Sequence, residues 1–81
     1  MTYELYTNVA LTRDVSDHNL CRGDVVKIVD YHPVPEGEAG YSIEVFNAIG
    51  NTIAVTSVPE SALEALMESE VLSVRHLTPS R

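Results

Sequence analysis

Residues 41–56 decide the fold of this chain, and they read YSIEVFNAIGNTIAVT. Apolar and polar side chains alternate over the first six residues, which predicts a strand with one buried face. Tyr41, Ile43 and Val45 are predicted to point inward, and the residues between and after them outward. The next five residues contain Gly50 and predict a hairpin loop, and the last five return as the partner strand.

The chain before this hairpin contains two further apolar runs that predict strands. Residues 25–31 have apolar side chains at both odd and even positions, so strict alternation fails. This predicts a bent strand with a bulge or a strand buried on both faces. Just before it, Gly23 is predicted to adopt a positive φ, and Asp24 to accept a hydrogen bond from a nearby backbone N–H. Residues 5–11 predict the first strand, with Leu5 as one of its core members.

The period of the apolar residues changes after the hairpin. Residues 59–67 begin with Pro and Glu, which are typical of a helix N-terminus. Leu63, Leu66 and Met67 then follow at helical spacing. This pattern predicts a short helix that packs on the sheet, followed by a closing strand over residues 71–77.

Together these elements predict an all-β fold, a small five-stranded SH3-like barrel with one short helix before the last strand. We expect a single domain over residues 1–81. Residues 32–40, with two prolines and two glycines, form its clearest loop. Closure is favoured because an open sheet of this size leaves strand edges unpaired.

Charge and cysteine content exclude several classes of function. Twelve acidic and five basic residues give a net charge of -7, which disfavours nucleic acid and anionic membranes as partners and favours a protein with a basic surface. Cys21 is the only cysteine, so no intramolecular disulfide is expected. The absence of a signal-peptide pattern and of a long apolar run predicts a cytoplasmic protein that does not span a membrane.

Several short motifs resemble those of a family of small bacterial proteins. They are Val9-Ala10-Leu11, Leu20-x-Arg22-Gly23-Asp24-Val25, Tyr41-x-Ile43-Glu44-Val45-Phe46, Pro59 and Val71-Leu72-x-Val74-Arg75. The family is a domain-of-unknown-function family, number forty-nine twenty-six, and the resemblance implies an SH3-like fold. It implies no catalytic residues. Because members of this family resemble companions of toxin genes, the resemblance also implies an antitoxin or immunity role.

The candidate chemical groups do not form a complete site in the sequence. His18 and Cys21 have the spacing of two metal ligands, but a structural zinc site needs four, and His32 and His76 are distant in the chain. A nucleophilic pair of Cys21 with a histidine would also need an orienting group and an oxyanion site. We therefore predict no metal, no cofactor and no enzymatic activity. A small cysteine-dependent enzyme or enzyme subunit remains an alternative.

The predicted function is that of an acidic protein-interaction module. An exposed aromatic side chain ringed by acids predicts an interface in which the aromatic anchors the partner and the charges steer its approach. The predicted contact residues are Tyr31, Glu36, Glu38, Glu44 and Phe46. The alternative within the same class is a homo-oligomeric structural protein that uses Phe46 and Ile49 as its interface.

Overall fold

The computed structural model describes residues 3–76 and contains one antiparallel sheet of five strands. The strands are β1 (Asn8–Leu11), β2 (Val25–His32), β3 (Gly40–Phe46), β4 (Thr52–Pro59) and β5 (Leu63–Ala65). Their order across the sheet is β4-β3-β2-β1-β5. The helical content of the described residues is two short 3-10 helices, Ser16–His18 and Glu60–Ala62. The prediction of an all-β fold with five strands is confirmed.

The hairpin from β3 to β4 follows the sequence pattern closely. The three β3 residues predicted to point inward are buried, and the residues between them are partly exposed. In the loop, the side-chain oxygen of Asn47 accepts hydrogen bonds from the backbone N–H groups of Ile49 at 3.1 Å and Asn51 at 2.9 Å. Gly50 has a positive φ of 92°, which glycine adopts without strain. Asn47 and Gly50 therefore fix a turn that sets the register of the two strands.

β2 contains a bulge, which is one of the two alternatives that its mixed apolar pattern predicted. The pairing of β2 with β3 shifts register between Ile28 and Asp30. An extra residue in one strand changes which face the following side chains occupy. As a result Tyr31 lies opposite Tyr41, which is fully buried.

One hydrophobic core lies on one face of the sheet. Its buried members are Val9, Leu11, Leu20, Val26, Ile28, Tyr41, Ile43, Val45, Val58, Ala62 and Leu63. Ala10 is also buried, at 5% exposure, but it is not part of this cluster. Since successive residues of a strand face opposite sides, Ala10 lies on the other face of the sheet, which we call the outer face.

The predicted helix over residues 59–67 is wrong in type and extent. Only Glu60–Ala62 form a helical turn, and the next residues, Leu63–Ala65, are strand β5 paired with β1. Leu63 is buried, whereas Met67 is 66% exposed. Pairing with β1 therefore overrides the local helical spacing, as tertiary contacts commonly do in a segment this short.

The predicted ends of the sheet also need correction. Leu5 is not a core residue but is 45% exposed, because the chain turns at Tyr6, which has a φ of 67°. Residues 71–76 form no strand, and Leu77 lies outside the described residues. The position beside β1 that a closing strand would take is filled by β5.

The two edges of the sheet are β4 and β5. These strands are not neighbours, so the sheet is not closed into a barrel over the described residues. Within residues 3–76, no helix has the length and apolar character required to cross a membrane.

The turn before β2 has the predicted conformation. Gly23 has a φ of 92°, and the Asp24 carboxylate accepts a hydrogen bond from the Cys21 backbone N–H at 2.7 Å. The Gly23 backbone N–H also donates to the Leu11 carbonyl at 2.8 Å. This turn therefore joins the end of β1 to the start of β2.

Replacing Gly23 by valine should lower the free energy of unfolding by about 1–3 kcal/mol, because a β-branched residue is strained at positive φ. A Cβ at this position meets no atom within 4 Å, so the cost comes from the backbone and not from a clash. Chemical denaturation measures the change. Gly40→Ala is the control, since Gly40 has no positive φ and its Cβ would make ordinary contacts at 3.7 and 3.9 Å. Equal stabilities of the two variants would contradict the strained-turn explanation.

Candidate functional site

The five predicted contact residues fall into two groups at opposite ends of β3. Tyr31, Glu36 and Glu38 lie at the end where β3 begins, whereas Glu44 and Phe46 lie where it ends. The five residue steps from Tyr41 to Phe46 correspond to about 17 Å of strand. The structure therefore does not bring the five residues into one compact patch.

At the end where β3 begins, the loop of residues 32–40 makes contacts within the protein. Both carboxylate oxygens of Glu38 accept hydrogen bonds from Ser61, one from its backbone N–H and one from its hydroxyl, each at 3.0 Å. Tyr31 packs on Tyr41 with ring centroids 5.3 Å apart. Glu36 lies exposed in the same loop. Glu38 thus helps to hold the loop against the 3-10 helix that precedes β5.

At the other end, Phe46 lies on the outer face beside a pair of opposite charges. The Lys27 ammonium is 5.3 Å from the centre of the Phe46 ring, a cation–π contact. Lys27 is also the cross-strand neighbour of Glu44, whose carboxylate accepts a hydrogen bond from the Thr52 hydroxyl at 2.7 Å. Phe46 remains 37% exposed. One face of this aromatic side chain is therefore supported while part of the ring stays accessible.

Phe46 belongs to an open groove of about 670 Å³ on this side of the molecule, which we call the outer groove. On its floor, Ala10 of β1, Val25 of β2 and Phe46 of β3 come from three adjacent strands. Ala48 and Ile53, from the β3–β4 hairpin, form one wall. Small and aliphatic floor residues beside an aromatic ring make a surface suited to apolar side chains.

The opposite wall comes from the chain after β5, residues 66–76, which we call the arm. Leu66, Val71, Leu72 and Val74 line the groove from this side. These side chains nevertheless remain 37%, 89%, 66% and 92% exposed. The arm therefore lies along the groove without burying its own apolar side chains.

Arg75 attaches the arm to the turn before β2. Its guanidinium donates two hydrogen bonds to Asp24, from Nε to Oδ1 at 2.9 Å and from Nη2 to Oδ2. Nη2 also donates to the backbone carbonyl of Asn19 at 3.0 Å. Such a two-pronged pair is specific to the planar guanidinium group.

These contacts change the titration of Asp24. Partial burial alone would raise the pKa of its carboxyl, but the hydrogen bonds from Arg75 and from the Cys21 backbone N–H outweigh burial and lower that pKa below its ordinary value. Asp24 is consequently held in the charged form that binds the guanidinium.

Cys21 and the histidines do not form a metal-binding cluster in the described part of the chain. Residues 3–76 contain no group of three or more His, Cys, Asp or Glu side chains placed to hold a metal ion. Cys21 is half-buried. The His32 ring lies elsewhere, with its Nε2 atom 2.7 Å from the Ser42 hydroxyl.

The sequence analysis identified Phe46 and the Asp24 turn separately. It missed that the arm lines the groove beside Phe46 and binds Asp24 through Arg75. Asp24 and Arg75 are 51 residues apart, and no local pattern indicates that they pair. The one available signal is charge, since residues 71–81 contain two arginines and no acid in a chain that is otherwise strongly acidic.

The contribution of Asp24 to stability should depend on pH in a defined direction. Because its pKa is lowered in the folded state, the stabilisation is present above the ordinary value of 3.8 and is lost as the pH falls through the lowered value. We expect Asp24→Asn to be less stable than the wild type near neutral pH and the difference to shrink below about pH 4. Arg75→Ala should weaken the same dependence only in part, because the Cys21 hydrogen bond remains. Denaturation at a series of pH values tests this, and a difference that is constant from neutral pH to about pH 2 would contradict it.

Comparison with known proteins gives a family but no close relative of known role. No curated protein and no solved structure matches the chain. One family model matches residues 5–65 of the 81, a span that ends on the last residue of β5 and leaves the arm outside it. The chain belongs to the family described as a domain of unknown function (DUF4926).

Proposed function

We propose that this chain is an acidic protein-interaction module that binds a protein with a basic surface, and that the outer groove with Phe46 is the centre of the contact. The proposal makes the protein a binding partner and not an enzyme. Glu44 and Phe46 keep the roles that the sequence predicted for them. Tyr31, Glu36 and Glu38 lie at the other end of β3, where the two glutamates form a peripheral acidic surface that steers the approach.

The observation that carries the proposal is the concentration of exposed apolar side chains around one groove. Among residues 3–76, thirteen large hydrophobic side chains are exposed. Six of these line the outer groove: Phe46, Ile53, Leu66, Val71, Leu72 and Val74. Scattered apolar residues are normal on a protein surface, but a cluster of this kind is typical of an interaction site.

Charge supports the choice of a basic partner. The chain carries a net charge of -7, so its field attracts a positive surface and repels a negative one. Glu64 and Glu70 line the groove, as does the basic residue Arg22. The groove itself is mostly apolar, so we assign affinity to the apolar contact and association rate to the acidic surface.

We further infer an antitoxin or immunity role in the cytoplasm, with a nucleic-acid-cleaving toxin as the basic partner; this role is what the sequence resemblance to small bacterial proteins implies. An SH3-like barrel left open between β4 and β5 is the fold that we infer for the module. It is supported by the neighbouring positions of β1 and β5 and by the short 3-10 helix just before β5.

A homo-oligomer remains the second candidate, and one observation favours it. Ile49 is 82% exposed at the tip of the β3–β4 hairpin, next to the wall of the outer groove. A second copy that covered Ile49 and Phe46 would remove both from water. Light scattering separates the two candidates, because the proposed module is monomeric without its partner.

The test of the proposed function is capture of the partner from the source cell, followed by measurement of its affinity at low and high salt. We expect a basic protein whose association slows as salt rises, because steering is screened beyond about 10 Å at 0.1 M. Phe46→Ala should weaken the binding free energy by about 2 kcal/mol. Val34→Ala is the matched control, since Val34 is 46% exposed but lies in the loop at the other end of β3. A partner that is indifferent to both salt and Phe46→Ala would refute the groove as the site.

A further inference from the structure

We propose that Asp24 and the adjoining outer groove recognise an arginine carried by an extended apolar segment of the partner, and that the arm occupies this site in the free protein as a built-in competitor. The inference rests on the proposed function and defines the chemistry of the partner at that site. Arg75 shows how a guanidinium is bound there, and the arm shows what kind of segment carries it.

The arginine part of the site is preformed by the turn before β2. The Asp24 carboxylate is oriented by the Cys21 backbone N–H, and the Asn19 carbonyl lies beside it on a residue with a φ of 58°. Together these groups accept three hydrogen bonds from Arg75. A lysine ammonium cannot reproduce this two-pronged geometry, so the site distinguishes arginine from lysine.

The apolar part of the site is only partly used by the arm. Val71 and Val74 are 89% and 92% exposed although they line the groove. A partner segment that buried its aliphatic side chains against Phe46 would gain stabilisation that the arm does not obtain. The groove therefore favours a ligand with the same kinds of side chain as the arm that buries more of them against the groove.

The attachment of the arm is weak enough to be displaced. The side chains of Arg75 and Asp24 are 35% and 18% exposed, so water reaches the pair and weakens its attraction. The arm competes mainly because it is tethered close to the site, which raises its effective concentration. A partner arginine that replaced Arg75 would find the same acceptors.

Charge distribution along the chain agrees with this arrangement. All twelve acidic residues precede position 71, whereas residues 71–81 carry Arg75 and Arg81 and no acid. Residues 71–81, which include the C-terminal half of the arm, thus have the sign expected of the partner and not that of the rest of the protein. A basic, aliphatic, extended segment is the ligand that the two halves of the site define.

A synthetic peptide with the sequence of residues 71–81, VLSVRHLTPSR, is the probe for this site. It is titrated by calorimetry into the full-length wild type and into full-length Arg75→Ala, in which Asp24 is free. We expect the variant to bind the peptide about fivefold more tightly, because the wild-type site is occupied by its own arm. Arg13→Ala is the matched control, because it removes an arginine that does not line the groove and that donates to the Ser61 hydroxyl at 3.4 Å, so this variant should behave as the wild type.

A second peptide, with lysine in place of both of its arginines, tests specificity without any change in the protein. We expect it to bind Arg75→Ala at least about threefold more weakly than the arginine peptide. Equal binding of the two peptides, equal affinity of wild type and Arg75→Ala, or no binding to Arg75→Ala at millimolar peptide would each overturn the inference. These measurements do not use the natural partner. If the peptides fail to bind as expected while the natural partner still binds in a way that depends on Phe46, the Asp24 site is rejected and the proposed function is not.

Discussion

The carboxylate of Asp24 is the group on which the arrangement around the outer groove depends. It holds the turn before β2 through the Cys21 backbone N–H and holds the arm through Arg75. The backbone carbonyl of the same residue accepts a hydrogen bond from Leu11, the last residue of β1, at 2.9 Å. One residue therefore connects the first two strands of the sheet with a segment that follows its last strand.

The sheet supplies the surface beside which this connection is made. β1 is only four residues long but pairs with β2 on one side and β5 on the other. Its outward residue Ala10 lies opposite Val25 and Glu64, so the short side chain leaves a low floor between its neighbours. Phe46 at the end of β3 rises beside that floor, supported by Lys27. The groove thus follows from a small residue on β1 and an aromatic residue at the end of β3.

The parts of the fold that sequence predicted are those determined by local chemistry. The alternation of apolar and polar side chains predicted β3, and the turns at Gly23 and Gly50 were predicted from glycines, which have positive φ in the structure. The predictions that failed concern segments whose structure depends on which strand they pair with. Leu63 has helical spacing with Leu66, yet it is buried in β5 because β1 offers an open edge there.

The candidate site was predictable only in pieces, for the same reason. Phe46 was correctly expected to point outward, because parity along a strand is local. Its separation from Tyr31 depends on the register of β2 against β3, which includes a bulge. The pairing of Asp24 with Arg75 depends on the path of the arm after β5, and that path is set by the fold as a whole.

The most direct test of this account is the position of the arm in solution. A nitroxide label on Ser73→Cys, in a Cys21→Ala background, places the probe on the arm beside the groove. If the arm lies along the groove, the amide signals of Ala10, Val25 and Phe46 will show strong paramagnetic broadening, and that of Val34, in the loop at the other end of β3, will show little. The broadening should fall sharply when Arg75→Ala is added. Uniformly weak broadening in the labelled protein, unchanged by Arg75→Ala, would contradict this account.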